Sequence, residues 1–158
     1  MSQFEKYHPI LTEHYAFDWL TKARAIDIFH LYEGLSDQPV TMTATATKIN
    51  QTMREIFRDQ KLVWGVTDRI NGHFIGQAGF DPIDLTSKEA TISVTVTPDN
   101  AQDHVLHELY QRLVTFGLAE LKLTTLTVHL EQSDRQCEQV LTDLGFQLTT
   151  TRTYRYQK

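Results

Sequence analysis

The sequence predicts one mixed α/β (α+β) domain built on a single twisted sheet of about six to seven strands, flanked by about four helices. Three observations carry this expectation. Alternating, β-branched segments are interleaved with segments whose apolar residues recur at helical spacing. The order reads β α α β β β α β α β, in which two helices precede a three-strand meander and a right-handed strand-helix-strand crossover follows. With 158 residues, 41% of them hydrophobic, the chain is sized for one packed core. No repeat, linker or low-complexity segment interrupts it, so residues 1–158 are read as one domain.

The elements follow in order. Tyr15 to Leu20 alternate as a half-buried strand. Thr21 offers an N-cap, Ala25, Ile28, Phe29 and Tyr32 form one helical stripe, and Gly34 stops that helix. A second helix runs to Lys61 from a threonine cap, either Thr47 or an earlier start near Thr43, with Ile49, Met53, Ile56 and Phe57 inward. Leu62 to Thr67 and Phe74 to Phe80 are strands joined by a hairpin at Asn71-Gly72, and Asp81-Pro82 ends the second. Ala90 to Thr97 is the next strand, ended by Pro98. Asp99 or Asn100 caps a helix with Val105, Leu109, Leu113 and Phe116 inward and Gly117 near its end. Leu123 to Leu130 is a strand; Ser133 or Asp134 caps a short helix carrying Cys137, Val140, Leu141 and Leu144, with Gly145 just past its end. Phe146 to Tyr156 reads as one terminal strand.

Composition narrows the function classes. Net charge is -5, and no basic run or basic aromatic stretch points to nucleic acid. One cysteine, Cys137, excludes an internal disulfide and a four-cysteine zinc site. The N-terminal residues have no apolar core or cleavage pattern, and no apolar run reaches membrane-spanning length, so a soluble cytoplasmic protein without a membrane partner is expected. Ser93 lacks a Gly-x-Ser-x-Gly setting, and Gly76 and Gly79 lie within a strand, where they suit close backbone packing or a bulge rather than a dinucleotide turn. His104 and His107 share a helix face, but no further ligand accompanies them, and no metal site is expected. Tyr110, Trp19 and Trp64 could line a groove or fill the core.

Four segments then carry a resemblance. These are Phe74-Ile75-Gly76-Gln77-Ala78-Gly79-Phe80, Ala90 to Pro98, Thr115-Phe116-Gly117-Leu118-Ala119-Glu120-Leu121 and Val140-Leu141-Thr142-Asp143-Leu144-Gly145-Phe146. In this order and spacing the chain resembles, over nearly its whole length, the GNAT superfamily of acyl-CoA N-acyltransferases, in particular the branch that acetylates ribosomal-protein N-termini. The resemblance implies an acetyl-CoA-dependent N-acetyltransferase acting on a primary amine of a protein N-terminus or a small molecule, working as a monomer or homodimer. Acetyl-CoA would be the co-substrate. Its pantetheine arm would pair with the strand backbone at Ser93, Val94, Thr95, Val96 and Thr97. Its pyrophosphate would meet the helix start at Gln102, Asp103, His104 and Val105, where backbone N–H groups and the helix dipole favour anions.

The family pattern at that start is Q/R-x-x-G-x-G/A, and aligning on Pro98 and Glu108 places its glycines at Gln102 and His104. The turn has no glycine and carries two acids, Asp99 and Asp103. Thr91 stands where the branch often has a Glu that accepts the amine proton, and Glu89, on the same strand face, is the substitute on offer. Asp134 and Cys137 stand where the family often has Asn and Ser, which implies a cofactor contact for Asp134 beside its capping role and lets the Cys137 thiol assist the departing thiolate through a weak hydrogen bond. These departures motivate an alternative expectation: a catalytically inactive protein of this fold, serving as a binding or regulatory module with weak or no acetyl-CoA affinity.

Overall fold

The computed structural model describes residues 2–158 and contains eight strands and four α-helices. They are β1 (Ile10–Leu11), β2 (Tyr15–Asp18), α1 (Ala25–Leu35), α2 (Met42–Phe57), β3 (Leu62–Asp68), β4 (Phe74–Asp84), β5 (Glu89–Val96), α3 (Asp103–Ala119), β6 (Thr125–His129), α4 (Arg135–Asp143), β7 (Gln147–Thr150) and β8 (Thr153–Gln157). One sheet holds all the strands, in the order β1-β2-β3-β4-β5-β6-β8-β7. The pairing of β5 with β6 is parallel and every other pairing is antiparallel. A parallel neighbour requires a crossover, and α3 supplies it.

The two faces of the sheet bury different helices. On one, Phe116 of α3 lies edge-on to Trp64 of β3 at 5.4 Å and stacks on Phe80 of β4 at 6.2 Å. The N-terminal segment closes this cluster: Tyr7 meets Phe116 edge-on at 4.9 Å, and Trp64 Nε1 donates to the Tyr7 carbonyl at 2.7 Å. On the other face Leu20, Ile28, Leu31, Tyr32 and Ile49 bury α1 and α2, and the Tyr32 hydroxyl donates to Gln77 Oε1 of β4 at 3.0 Å. Gly76 and Gly79 let the sheet close between these layers. A Cβ on Gly76 would stand 2.1 Å from the Thr95 carbonyl oxygen, and one on Gly79 would stand 2.1 Å from that of Leu62.

Several boundaries differ from the sequence reading, each for a physical reason. The first strand stops at Asp18, and a short 3-10 turn over Leu20–Lys22 follows, so Arg24 rather than Thr21 stands at the N-cap of α1. Gly34 lies inside α1 and does not adopt the left-handed conformation that would end it. The second helix starts earlier than either threonine considered: Thr41 caps it, accepting from Ala44 N at 3.0 Å. Thr45 and Thr47 are accommodated inside α2 because their hydroxyls donate to the Thr41 and Thr43 carbonyls. Phe57 at the helix end is 46% exposed rather than inward. Asp81-Pro82 does not end β4; the pair sits in a bulge between Phe80 and Ile83, where the missing proline N–H breaks no ladder bond. Pro98–Asn100 forms a 3-10 turn, so neither Asp99 nor Asn100 caps α3, and Gln102 holds that position. The terminal segment is a hairpin, β7 and β8, reversing at Thr151-Arg152, with Arg152 at φ 56°.

Candidate functional site

The site begins where two strands part. β5 and β6 pair at only three positions, Glu89 with Thr125, Ala90 with Leu126 and Thr91 with Thr127. β5 then stays on β4 as far as Val96 opposite Gly76, while β6 stays on β8 as far as His129 opposite Thr153. Beyond Thr91 the edge of β5 that faces β6 has no strand partner. The opening is a cleft of about 830 Å³, lined by Thr91 to Val96, by Tyr110 of α3, and by the segment from Val128 to Cys137. Unpaired strand backbone in a cleft can accept an extended amide-bearing ligand as an added strand.

At the outer end of β5 the chain enters α3. The N–H groups of Asp103, His104 and Val105 have no acceptor among the described residues, and the Gln102 cap makes no side-chain bond to them. The Gln102 amide instead donates to the Asp99 carbonyl at 3.0 Å, and Gln102 N donates to the Asn100 carbonyl at 2.9 Å. His104 lines a separate hollow of about 520 Å³ on the outer face of α3, with Glu13, His107 and Glu108. The helix start therefore presents bare N–H groups, with the Gln102 side chain tied into the turn. Thr97 is committed elsewhere. Its N–H donates to the Ile75 carbonyl, its carbonyl accepts from Asn100 N, and its hydroxyl accepts from Asn100 Nδ2.

The inner wall comes from α4. Asp134 caps this helix, accepting from Cys137 N at 3.1 Å, and both residues line the cleft. Burial, then the charge and hydrogen bond of Asp134 and the charge of Glu138, push the Cys137 thiol up to about 12. A thiol raised this far keeps its proton at neutral pH, the form that can donate a hydrogen bond. Tyr110 faces the same wall; burial pushes its phenol well up, with Cys137 and Asp134 adding to the effect. Its hydroxyl makes no hydrogen bond among the described residues, yet it is not an orphaned buried group, so it reaches the cleft. Trp19 and Trp64, by contrast, are buried in the core.

The other wall of the cleft belongs to the face of the sheet that carries α1 and α2. Thr95 pairs with Gln77, whose side chain meets Tyr32 of α1, so by strand alternation Thr91, Ser93 and Thr95 turn toward α1 and α2. Leu35 at the end of α1 lines both the cleft and a smaller hollow of about 380 Å³ between α1 and α2. Among the described residues lining that hollow Lys48 is the charged one, its ammonium 4.5 Å from the Tyr32 ring centroid.

The structure thus gathers Ser93, Val94, Thr95, Val96, Asp134 and Cys137 around one cleft. Glu89 is exposed at the start of β5, in the paired part of the sheet, and does not line it. Nor do Thr97 or the side chains of Gln102, Asp103, His104 and Val105. Asp81 was missed by the sequence reading and does line the cleft. Its signal was the alternation Gln77, Gly79, Asp81, hidden by taking Pro82 as a strand end. Among the described residues no group of three or more His, Cys, Asp or Glu is placed to hold a metal ion, and no helix is long and apolar enough to cross a membrane.

This geometry has counterparts. The model of an acetyltransferase (GNAT) domain matches residues 12–147. No curated protein matches the chain in sequence. Among solved structures, a protein assigned as a ribosomal-protein-serine acetyltransferase of Vibrio cholerae superposes with a TM-score of 0.79 at 14% identity, over 95% of this chain and 97% of that one. RimL, a ribosomal L7/L12 alpha-N-protein acetyltransferase in complex with coenzyme A, gives 0.80 at 10% identity, over 94% and 96%. The spermidine/spermine N-acetyltransferase SpeG of Vibrio cholerae gives 0.72 at 12% identity, over 92% and 95%. At these identities the superpositions speak to the fold.

Proposed function

Because the chain belongs to the GNAT family of acetyltransferases, we propose that it transfers an acetyl group from acetyl-CoA to a primary amine. The observation that carries this reading is the parting of β5 and β6 beyond Thr91, which leaves strand backbone unpaired inside a cleft. Acetyl-CoA supplies an acyl group activated as a thioester. The backbone of Ser93, Val94, Thr95 and Val96 holds its pantetheine arm and polarises the thioester carbonyl. The N–H groups of Asp103, His104 and Val105 receive the pyrophosphate at the start of α3, with Gln102 holding the turn. Asp134 fixes the first turn of α4, and the Cys137 S–H donates to the departing thiolate without giving up its proton. The acceptor is the amine of a protein N-terminus or a small molecule. Lys48 in the hollow beside Leu35 places like charge in the path of a polyamine and favours an acceptor that is not itself polycationic.

The turn from Asp99 to His104 supports a second reading, a fold kept for binding or regulation with weak acetyl-CoA affinity. Its two acids oppose a pyrophosphate by about 1 kcal/mol or less each. Titration calorimetry with acetyl-CoA, followed by CoA release in the presence of a peptide with a free N-terminus, separates the two. Heat of binding and acceptor-dependent CoA release support the transferase. Silence in both, with no thermal shift at millimolar ligand, leaves the second reading standing. Gln102→Gly with His104→Gly then reports on the turn, since a steep rise in affinity marks it as the block.

A further inference from the structure

Resting on the acyl-transfer reading, we propose that Asp81 is a catalytic residue that takes, through one water, the proton the attacking amine loses. Asp81 lines the cleft together with Thr91, Ile92 and Ser93. Its position on the acceptor face is fixed twice. Along β4, Ala78 and Phe80 turn toward α3, as the stacking of Phe80 on Phe116 shows, while Gln77 meets Tyr32 of α1. Alternation puts Asp81 with Gln77. Independently, Asp81 Oδ2 lies 3.1 Å from Lys61 Nζ, which lies 3.4 Å from Glu55 Oε2 of α2, so the carboxylate leans toward the α2 side.

The bulge sets its depth. Phe80 pairs with Ile92 and Ile83 with Ala90, so Asp81-Pro82 stand opposite Thr91, at the apex where β5 and β6 begin to part. A carboxylate one strand over from Thr91 occupies the sector that Thr91, which has no useful base, leaves empty of one. Lys61 is 14% exposed against 43% for Asp81, so the ammonium is the anchored partner and the carboxylate the open one. Among the described residues Lys61 is the ion-pair partner of Asp81, with Glu55 behind it, and His129, Glu131, Asp134 and Arg135 line the same cleft.

The step balances. The amine lone pair forms the new C–N bond at the thioester carbonyl, and the C–S bond breaks with its electron pair on sulfur. The amine proton passes through water to the Asp81 carboxylate and from there to solvent. The thiolate leaves, hydrogen-bonded by the wall of the cleft, and is protonated from water.

The test uses the full chain, acetyl-CoA, and two acceptors, a short peptide with a free N-terminal serine and spermidine, with CoA release measured at saturating acceptor from pH 7 to 9. Asp81→Asn is expected to keep acetyl-CoA affinity and lose about a hundredfold in kcat, with its kcat rising about tenfold per pH unit while wild type stays flat. Asp81→Glu should restore most of the loss. Lys61→Met controls for the ion pair: it removes the ammonium from both Asp81 and Glu55, yet should keep kcat within about fivefold and the flat profile. An Asp81→Asn variant within about threefold of wild type, or one with a flat profile, overturns the assignment and leaves the acyl-transfer reading intact. No CoA release from wild type with either acceptor overturns that reading, and the assignment with it.

Discussion

Cys137 is the sole cysteine, so its chemistry can be followed without interference. Burial and the neighbouring Asp134 push its thiol up to about 12. At pH 8.5 the thiolate fraction is then about 3 × 10⁻⁴, against about half for an ordinary cysteine, a deficit of about a thousandfold. Alkylation by iodoacetamide, followed by intact mass, should therefore run about a thousandfold slower at pH 8.5 than for free cysteine, and slower still relative to it if burial also blocks the reagent. Asp134→Asn separates the causes. Asparagine caps a helix as well as aspartate does, so α4 is retained, while the charge that holds the proton on sulfur is gone. The variant should alkylate faster at unchanged melting temperature, yet remain slower than free cysteine because burial is the larger cause. A wild-type rate within tenfold of free cysteine would refute the protonated-thiol argument. So would an acetyl group found on Cys137 after incubation with acetyl-CoA, because that marks a nucleophile rather than a hydrogen-bond donor.

Other outcomes are equally measurable. Phe116→Ala empties the junction of Tyr7, Trp64 and Phe80 and should cost about 3–5 kcal/mol by urea denaturation. Gly79→Ala forces a Cβ to within 2.1 Å of the Leu62 carbonyl oxygen and should cost about 2 kcal/mol or more, whereas Gly34→Ala, with open space around it, should gain up to about 1 kcal/mol. Glu108 accepts from the Thr12 hydroxyl, from His14 N at 2.9 Å and from His14 Nδ1 at 2.7 Å. The His14 pKa is raised by this bond and charge, so its contribution is present below about 6.5 and lost as pH rises through the folded-state value. For Glu108 burial pushes up, but the Thr12 and His14 bonds together win and lower it, so its contribution is present above about 4.5 and lost as pH falls. His14→Gln should therefore lower the urea midpoint most between about pH 4.5 and 6.5, with the difference shrinking by pH 8.5; an equal difference at both would contradict the pairing.

The sequence made some of this legible because the causes are local. Asp134 caps α4 and Gly145, at φ 101°, follows its end, both readable from a few neighbouring residues. Val105, Leu109, Leu113 and Phe116 are all buried, as one helical stripe requires. What escaped depends on contacts far along the chain. The hairpin at Thr151-Arg152 has no glycine, asparagine or proline to announce it; the pairing of β8 with β6 imposes it. Pro82 reads as a stop, yet the strand continues because Ile83 N finds the Gln60 carbonyl and Ile83 pairs with Ala90. Losing that continuation lost Asp81 as well. Among the carboxylates, only the sheet register separates Glu89, two residues from Thr91 in sequence and outside the cleft, from Asp81, which stands opposite Thr91 and lines it.

The turn from Asp99 to His104 at the start of α3 has no glycine. A glycine there would serve two ends: it lets backbone approach a bulky anion, and it removes side chains from the helix start. The second end is met here by other means. Gln102 is tied back to Asp99, Asn100 is tied to Thr97, and His104 lines the outer hollow with Glu108. What is left uncompensated is charge, since Asp99 and Asp103 remain exposed beside the bare N–H groups. An exposed charge is screened by salt while the hydrogen bonds of the helix start are much less so. If the acids are the weakness of the turn, acetyl-CoA affinity should hold or rise with moderate ionic strength. In a turn without them, affinity should fall, because the attraction of the helix start for the pyrophosphate would be the long-range contribution left to screen. Asp99→Asn with Asp103→Asn, titrated at about 20 and 200 mM salt, distinguishes the two. The double variant should bind more tightly at low salt and lose that advantage at high salt. An advantage that persists unchanged would place the effect in the shape of the turn rather than in its charge.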